Sequence, residues 1–280
     1  MTPWRLLVTE PLDGAANMAL DEAILLARIR GLVPPTLRFF SWSPPTISLG
    51  YAQSLDERIN LEACRALGVG LVRRPTGGSA IYHDTAEREV TYSVVALAFD
   101  FEEAVDLLET YRWIGRGLTA GIREKLGVAA QMAPIVKQPD PGDAPAFCFA
   151  RAASYEIQVD GKKLVGSAQR RQAGAFLQHG SILLGADRAR LRLLFPREGD
   201  LLTGMTTLED QRGRRPGFDQ VVRALSAGIA ETHGLDLVAS GPTGDEEWLM
   251  ERLIREKYGS EAWNRHGQRV GYPSPVAPAH

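Results

Sequence analysis

The chain has 280 residues, of which 44% are hydrophobic and 24% charged, and its formal net charge is −2. This composition is typical of a soluble globular protein and argues against a disordered chain, a collagen or a coiled coil. The near-balance of charge also disfavours a protein that binds nucleic acid through a basic surface.

Hydrophobic periodicity and turn signals predict the elements of the first half of the chain. The best-marked element is an amphipathic helix, because apolar residues recur every three or four positions from Gly14 to Ile29, with Asp13 as its cap. In chain order the predictions are a helix at 14–29, strands at 36–42 and 46–51, a helix at 55–67, strands at 70–73, 79–82 and 90–94, a helix at about 101–126, and a strand at 128–135 before a proline-rich loop at 138–146.

In the second half of the chain, the first predicted feature is a β-hairpin. Asp160-Gly161 favours a two-residue turn that pairs Lys163 with Gln158. Alternation along the return strand then predicts two faces: Lys163, Val165, Ser167 and Gln169 on one, and Leu164, Gly166 and Ala168 on the other. The remaining predictions are a turn near Ala173-Gly174, a strand at 176–184, and helices at 218–231 and 243–257.

Helices grouped with antiparallel hairpins indicate an α+β fold, with mixed or antiparallel sheets flanked by helices. No repeat or linker divides the chain, so we predict one domain over residues 1–267, with about 216–267 as its helical C-terminal part. The proline-rich residues 268–280 are expected to be a disordered tail.

No apolar run approaches the roughly 18 residues of a membrane span, and no secretion signal is visible at the N-terminus. We therefore expect a cytoplasmic protein without membrane contact. Its two cysteines, Cys64 and Cys148, would remain thiols there, and neither has a second Cys or His at zinc-site spacing, so no metal site is predicted. Cys64 falls in a predicted helix and is expected to be structural, whereas Cys148 follows the proline-rich loop.

The segment RRPTGGSAIYHD, which begins at Arg73, is the first candidate site. Two glycines, Gly77 and Gly78, allow the backbone to approach a ligand, while Thr76 and Ser79 supply hydroxyl groups. The same residues would also suit a tight hairpin with charged ends. Phosphate-loop, dinucleotide, HExxH zinc and GxSxG hydrolase signatures do not match the chain.

The whole set of motifs resembles the biotin/lipoate A/B protein ligase family. RRPTGGSAIYHD is similar to that family's arginine and glycine motif, and GKKLVGSAQ, at 161–169, to its lysine motif. Supporting matches are NMALDEA from Asn17, WSPPTISLGY from Trp42, and the Lys257-Tyr258 and Trp263-Asn264 pairs. The resemblance implies the lipoate-protein ligase and biotin ligase catalytic domain, a fold related to class II tRNA synthetases.

Within this family the segment Phe147-Cys148-Phe149 resembles the cysteine-dependent octanoyltransferases of the LipM type, although Ala150 to Ala153 departs from the form expected there. The resemblance implies that Cys148 is the nucleophile and that Lys163 is the cation that lowers its pKa or relays a proton. It also implies a substrate-binding set: Arg73, Arg74, Thr76, Gly77, Gly78, Ser79, His83, Gly166, Ser167 and Ala168.

The implied function is transfer of octanoyl from acyl carrier protein, through a Cys148 thioester, to a lysine of a lipoyl domain such as that of a glycine cleavage H protein. No cofactor is expected, and the protein is expected to act as a monomer. The alternatives are an ATP- and magnesium-dependent lipoate-protein ligase, an amidotransferase that moves octanoyl between lipoyl domains, and a lipoyl-domain binding protein without activity.

Simpler interpretations of the same residues also stay open. Cys148 could be a buried thiol and Lys163 a solvated strand lysine, while His83 could cap a turn and His179 could be structural. The pairs Arg73-Arg74 and Arg170-Arg171 could contact an acidic partner or could only be solvated. Because the predicted turn places Lys163 opposite Gln158, the segment with Cys148 must fold back over the sheet to reach it.

Overall fold

The computed structural model describes residues 3–56, 58–101, 106–133, 156–197 and 203–267. Cys148 and the predicted tail, 268–280, lie outside these residues. The strands are β1 (Trp4–Val8), β2 (Thr36–Phe40), β3 (Thr46–Leu49), β4 (Gly70–Arg73), β5 (Ile81–His83), β6 (Glu89–Leu97), β7 (Gln131–Met132), β8 (Ile157–Val159), β9 (Lys162–Gln172), β10 (Ala175–Leu183) and β11 (Leu237–Ala239). The helices are α1 (Gly14–Ile29), α2 (Leu61–Ala66), α3 (Leu107–Ala120), α4 (Arg188–Leu194), α5 (Leu208–Arg212), α6 (Phe218–His233), α7 (Gly244–Leu253) and α8 (Glu261–His266).

A mixed sheet organises the fold. Its strand order is β11-β1-β2-β6-β10-β9-β8-β7, and β1 pairs in parallel with β2 and β11 whereas the remaining pairs are antiparallel. A smaller sheet has the order β4-β3-β5. Both predicted hairpin turns are confirmed: Asp160-Gly161 and Ala173-Gly174 have positive φ at both positions, as a type I′ turn requires, and Gln158 pairs with Lys163.

Helices cover both faces of the large sheet. On one face, α3 and α6 pack against β6 and β10 in a core that includes Ile114, Leu118, Tyr92, Phe176 and Leu225. On the opposite face, α1 contacts β6 and β10, and α7 packs on α1. The small sheet lies beside α1, and its Ser48 and His83 contact residues of the large sheet. Within the described residues, no helix combines the length and apolar character that crossing a membrane requires.

The strands predicted at 36–42 and 46–51 are each two residues too long, and three further elements differ more. The helix at 55–67 is only α2, because the Asn60 side chain caps it by accepting a hydrogen bond from the Ala63 amide. The helix at 101–126 begins at Leu107, where Asp106 caps it, and continues beyond Ala120 as a π-helical turn, Gly121–Lys125. Of the strand predicted at 128–135, the structure describes residues 128–133, and only Gln131–Met132 are in a strand there. Apolar periodicity thus located the elements, but local capping set their ends.

A buried ion pair attaches the C-terminal residues to α1. The carboxylate of Glu22 accepts hydrogen bonds from Lys257 Nζ, at 2.7 and 3.0 Å, and from the Tyr258 hydroxyl at 2.5 Å. Glu22 is completely buried, and burial lowers the pKa of Lys257 although Glu22 opposes that shift. Arg170 Nη1 also lies 3.5 Å from Glu22, so loss of Lys257 would leave the buried carboxylate with this longer ion pair alone.

We therefore expect Lys257→Met to lower the free energy of unfolding by about 3 kcal/mol, the lower end of the cost of an unpaired buried charge, because Arg170 still pairs with Glu22. Urea unfolding followed by circular dichroism measures the change. The matched control is Lys125→Met, which removes the exposed pair with Glu231 and should leave the midpoint unchanged. Equal effects of the two substitutions would contradict a special role for the buried pair.

An aromatic stack contains a histidine that must stay neutral. The His233 ring lies 3.7 Å from that of Trp113, which in turn stacks on Trp4 at 5.3 Å, and His233 Nε2 donates to the Trp113 carbonyl. Burial lowers the pKa of His233 from 6.5 to about 4. Because the unfolded ring binds a proton more readily than the folded one, protonation favours unfolding.

The contribution of this ring to stability should therefore be complete above about pH 6.5 and decrease as the pH falls toward about 4. In His233→Phe the stack remains but the titrating group is absent. We expect the urea midpoint of this variant to decrease less between pH 7 and pH 4.5 than that of the wild type. Parallel pH profiles for the two proteins would show that His233 does not contribute to the acid sensitivity.

Candidate active site

The glycine loop, residues 74–80 between β4 and β5, is built around a buried guanidinium. Arg74 is 1% exposed and donates hydrogen bonds to the carbonyls of Ser48, Gly77 and Ser79 at 3.0, 2.5 and 2.8 Å. Its Nε also donates to Thr76 Oγ1 at 3.2 Å. The loop therefore has a fixed shape although it contains two adjacent glycines.

A close backbone contact adds to this constraint. A Cβ atom at Gly50 would lie 1.8 Å from the Gly78 carbonyl oxygen, and Gly78 itself has φ of +92°. The Tyr51 amide donates to the Thr76 carbonyl at 2.8 Å, which joins the end of β3 to the loop. Only glycine at position 50 allows this approach.

Arg73, the neighbour of Arg74, points to the C-terminal helix instead. Its guanidinium donates to five backbone carbonyls: Gly50, Tyr51, Gln53, Trp263 and Arg265. The Trp263 indole donates back to the Arg73 carbonyl at 2.9 Å. Both arginines of this pair are buried, so they do not present a surface to an acidic partner, and Arg73 holds α8 against the glycine loop.

His179, a residue that the sequence favoured only as structural, connects the loop to the core. Its Nε2 lies 2.7 Å from Thr76 Oγ1, and its Nδ1 lies 3.1 Å from Asp21 Oδ2. The other Asp21 oxygen accepts from Arg38 and Ser93 at 2.7 and 2.9 Å. One hydrogen-bonded chain thus joins α1, β2, β6, β10 and the loop.

The charges around Asp21 and His179 determine the protonation states of these two side chains. Burial would raise the pKa of Asp21, but Arg38 and His179 outweigh it, so that pKa lies below the ordinary value. Burial lowers the pKa of His179 more than Asp21 raises it. Nδ1 of the neutral ring therefore donates to the Asp21 carboxylate, and Nε2 accepts from the Thr76 hydroxyl.

His83 belongs to a second buried chain. Its Nδ1 lies 2.8 Å from Glu89 Oε1, its Nε2 lies 2.8 Å from Ser48 Oγ, and its ring stacks on Trp42 at 4.0 Å. Ser181 and Thr91 also donate to Glu89. His83 thus holds β5 and β3 onto the large sheet, and it does so beside the glycine loop.

A small cavity of about 10 Å³ lies between these two chains. This is about the space that one water molecule needs. The residues around it include Met18, Trp42 and Ile81 with the polar Ser48, His83 and Ser181. The cavity therefore separates the small sheet from strands β6 and β10 of the large sheet.

A β-bulge corrects the predicted faces of β9. The pairing with β8 advances from Ile157↔Val165 to Gln158↔Lys163, which leaves Leu164 as the extra residue. Leu164 and Val165 both pack in the core beneath α3 and α6. The alternation therefore changes phase at the bulge, and Lys163 lies on the face of Gly166 and Ala168, not on that of Val165 and Ser167.

Lys163 is 1% exposed and forms an ion pair with Glu156, which is itself 5% exposed. This burial excludes the simpler interpretation of Lys163 as a solvated strand lysine. The Lys163 backbone also binds the segment before α5, since its amide donates to the Gly204 carbonyl at 2.8 Å and its carbonyl accepts from the Thr206 amide at 2.9 Å. The segment before α5 thus holds the Lys163 main chain, and Glu156 holds its ammonium.

The three residues of the Gly-Ser-Ala motif face different ways. Gly166 and Ala168 pair with Ser181 and His179 of β10 and lie on the face of the glycine loop. Ser167 lies on the other face, where its hydroxyl is 2.8 Å from the Tyr92 hydroxyl. Burial raises the pKa of Tyr92 to about 12. Ser167 therefore joins β9 to β6 on the face opposite the glycine loop. Its assignment to substrate binding stays a prediction.

Several residues of this site were not singled out by sequence reasoning. Asp21 and Glu156 pair with His179 and Lys163, and Arg38 neutralises Asp21. The signal for Asp21 was its position in the NMALDEA motif, since a charged residue on the buried side of an amphipathic helix requires a partner. Arg38 lies in β2 and Glu156 directly precedes β8, and nothing in the spacing there indicated burial.

The other predicted groups are placed as follows. Cys64 is buried, and burial raises its pKa, which agrees with a structural thiol. Cys148 lies outside the described residues, so its distance from Lys163 stays a prediction. Among the residues that the structure describes, no group of three or more His, Cys, Asp or Glu side chains is arranged to hold a metal ion.

The catalytic-domain model of the lipoyl protein ligase A/B family matches residues 13–230. The chain belongs to the lipoyl protein ligase A/B family. A family relative, octanoyltransferase LipM of Symbiobacterium thermophilum, is 44% identical over 94% of this chain and 98% of its own length.

Solved structures of the same family share the fold. A lipoate-protein ligase A bound with ATP has a TM-score of 0.80 and 26% identity, over 95% of this chain and 100% of that one. A bipartite lipoate protein ligase of Thermoplasma acidophilum, described with its E2 lipoyl domain, has a TM-score of 0.72 and 26% identity, over 96% and 98%. The predicted family and the predicted α+β fold of the lipoate ligases are confirmed.

The Gly50 contact gives a test of the glycine loop. We expect Gly50→Ala to displace Gly78 and to lower acyl transfer about a hundredfold, because a shift of about 1 Å at a reacting group has an effect of that size. Steady-state transfer rates measure the change. Gly241→Ala is the matched control, because a Cβ there meets nothing within 4 Å. Unchanged transfer by Gly50→Ala would show that the loop does not position substrate.

Proposed function

We propose that the chain is an octanoyltransferase of lipoate biosynthesis, which moves octanoyl from acyl carrier protein, through a thioester on Cys148, to a lysine of a lipoyl domain. The observation that carries the activity is the 34 to 44% identity, over almost the whole chain, to curated relatives named octanoyltransferase LipM. The structural support is a buried ammonium, Lys163, on the same face as the glycine loop.

The reaction has two acyl transfers. In the first, the Cys148 thiolate attacks the donor thioester, a new carbon–sulfur bond forms, and the carrier protein leaves as its thiolate. One thioester replaces another, so this step is close to neutral and needs no ATP. In the second, the lipoyl-domain amine attacks the acyl-enzyme, a carbon–nitrogen bond forms, and the amine proton passes to the departing cysteine sulfur. The amide product makes this second step downhill.

Lys163 suits both steps electrostatically. Its ammonium is buried, so its field on a neighbouring thiolate or developing oxyanion is stronger than that of a solvated lysine. Glu156 compensates the charge and fixes the position of the side chain. A cation held in this way lowers the pKa of a nearby thiol and favours the nucleophilic thiolate. This role requires Cys148 to approach Lys163.

The ATP-dependent ligase is the second candidate, because a lipoate-protein ligase bound with ATP shares the fold at a TM-score of 0.80. Such an enzyme would form an acyl adenylate from a free acid, and the cysteine would be dispensable. The lipoyl-domain acceptor is common to both candidates and is supported by the structural relative that was described with its E2 lipoyl domain. The two candidates therefore differ in their donor, which is an acyl thioester for the transferase and a free acid with ATP for the ligase.

Incubation with octanoyl-acyl carrier protein, without ATP, is expected to increase the intact mass of the enzyme by one octanoyl group. Cys148→Ala should lose this adduct and reduce transfer to a lipoyl domain by at least about a thousandfold, as removal of a covalent nucleophile does. Intact-mass spectrometry and a transfer assay measure the two effects.

Cys64→Ala is the matched control, because the buried Cys64 thiol should not be acylated. Transfer that needs ATP and survives Cys148→Ala would select the ligase. A wild-type protein that accepts octanoyl only from an octanoylated lipoyl domain would select the amidotransferase, and binding without turnover would identify a non-enzymatic protein.

A further inference from the structure

The α4–α5 surface, formed by helices α4 and α5 and by residues 213–215, is strongly basic although the whole chain has a net charge of −2. Its six arginines and two acidic residues give a local charge of +4, from Arg188, Arg190, Arg192, Arg212, Arg214 and Arg215 against Glu209 and Asp210. A positive surface on a slightly acidic protein favours contact with an acidic partner.

Ion pairs join the two helices into one surface. Arg188 Nη2 lies 2.8 Å from Asp210 Oδ2, and Arg215 Nη1 lies 3.9 Å from Glu209 Oε2. Arg215 also packs over the residue before α4, since a Cβ atom at Gly185 would lie 3.0 Å from Arg215 Cδ. These pairs occupy both acidic residues of the surface, so the excess charge belongs to its other arginines.

Two of those arginines have no acidic partner. Arg192 and Arg214 are exposed, and neither forms an ion pair within the part of the chain that the structure describes. Arg192 lies one helical turn after Arg188, on the same side of α4. The neighbouring Leu193 is 55% exposed. The surface thus combines uncompensated arginines with apolar area, and both are typical of protein interfaces.

The α4–α5 surface begins close to Lys163. The Thr206 amide donates to the Lys163 carbonyl, and α5 starts two residues later and ends at Arg212. The Cα atoms of Thr206 and Arg212 are therefore at most roughly 14 Å apart, at about 3.8 Å per step before the helix and about 1.5 Å rise per residue within it.

This distance matches the reach of a carrier protein. The phosphopantetheine arm of an acyl carrier protein has about thirteen bonds from phosphorus to sulfur and extends roughly 16 Å, at about 1.2 Å per bond of an extended chain. A carrier protein bound to the α4–α5 surface therefore has an arm long enough to bring its thioester to Lys163.

We propose that the α4–α5 surface is the docking site of the acyl carrier protein that donates octanoyl. Carrier proteins of this class are small and acidic, so their charge complements this surface. The inference rests on the proposed function, because it takes the donor to be a carrier protein whose thioester reacts near Lys163. Exposed charges of this kind act mainly on the association rate, which then depends on salt.

The test compares two donors in the acylation half-reaction: octanoyl-acyl carrier protein and octanoyl-pantetheine, which has the same thioester without the protein. In the double variant Arg192→Glu/Arg214→Glu, kcat/KM for the carrier-protein donor is expected to fall about tenfold at low salt, because like charges then meet at the interface. The value for octanoyl-pantetheine should not change. The difference from the wild type should shrink in about 0.5 M NaCl, where exposed charges are screened.

Arg116→Glu/Arg123→Glu is the matched control, because it changes the net charge by the same amount. Both residues are exposed, on α3 and its π-helical extension, which cover the face of the large sheet opposite the glycine loop. We expect kcat/KM of this variant to equal that of the wild type for both donors.

A fall that is confined to Arg192→Glu/Arg214→Glu and to the carrier-protein donor supports the inference. An unchanged value for that donor overturns it, and so does an equal fall in the control variant or with octanoyl-pantetheine. A fall only in the second half-reaction, measured from preformed acyl-enzyme to a lipoyl domain, would assign the surface to the acceptor and also overturns it. A wild-type enzyme that takes no octanoyl from carrier protein overturns the proposed function itself.

Discussion

The buried guanidinium of Arg74 is the interaction on which the candidate site depends. Two adjacent glycines give the loop no intrinsic shape, and this one side chain holds two of its carbonyls, those of Gly77 and Ser79, together with the Ser48 carbonyl of β3. The adjacent Arg73 points the opposite way, as alternation along β4 requires, and binds carbonyls near α8. Two consecutive arginines therefore connect the loop to the small sheet on one side and to the C-terminal helices on the other.

Helix α1 likewise has two consecutive charged residues that contact different elements, the buried carboxylates of Asp21 and Glu22. Asp21 compensates Arg38 and orients His179, whereas Glu22 compensates Lys257. A buried charge is tolerated only when a partner of opposite sign and further hydrogen bonds accompany it. Helix α1 can direct both carboxylates inward because β2 brings Arg38 to Asp21 and a second π-helical turn, Ile254–Tyr258, brings Lys257 to Glu22. Helix α1 is thus the element through which the loop, the sheet and the C-terminal residues are held together.

The sequence was sufficient for the fold class, for both type I′ hairpins and for the pairing of Lys163 with Gln158, because turn chemistry and alternation are local. It was not sufficient for the direction of Lys163, since a bulge depends on how Leu164 and Val165 both fit beneath α3 and α6. Nor did it indicate that His179 contacts Thr76, which is distant in the chain. Ion pairs and hydrogen bonds between separate elements follow from tertiary packing, to which periodicity is insensitive.

The bulge has a further consequence for the chemistry of the site. In a regular strand Lys163 would share the face of Val165 and would direct an ammonium into the apolar core, where desolvation is costly. One extra residue in β9 moves it to the face of Glu156, where it is compensated, and places Gly166 and Ala168 beside it. The bulge leaves one residue of the strand unpaired, whereas a buried, uncompensated charge would be strongly destabilising. The register of β9 therefore decides that the Lys163 side chain lies on the face of Gly166 and Ala168 and not in the core that contains Leu164 and Val165.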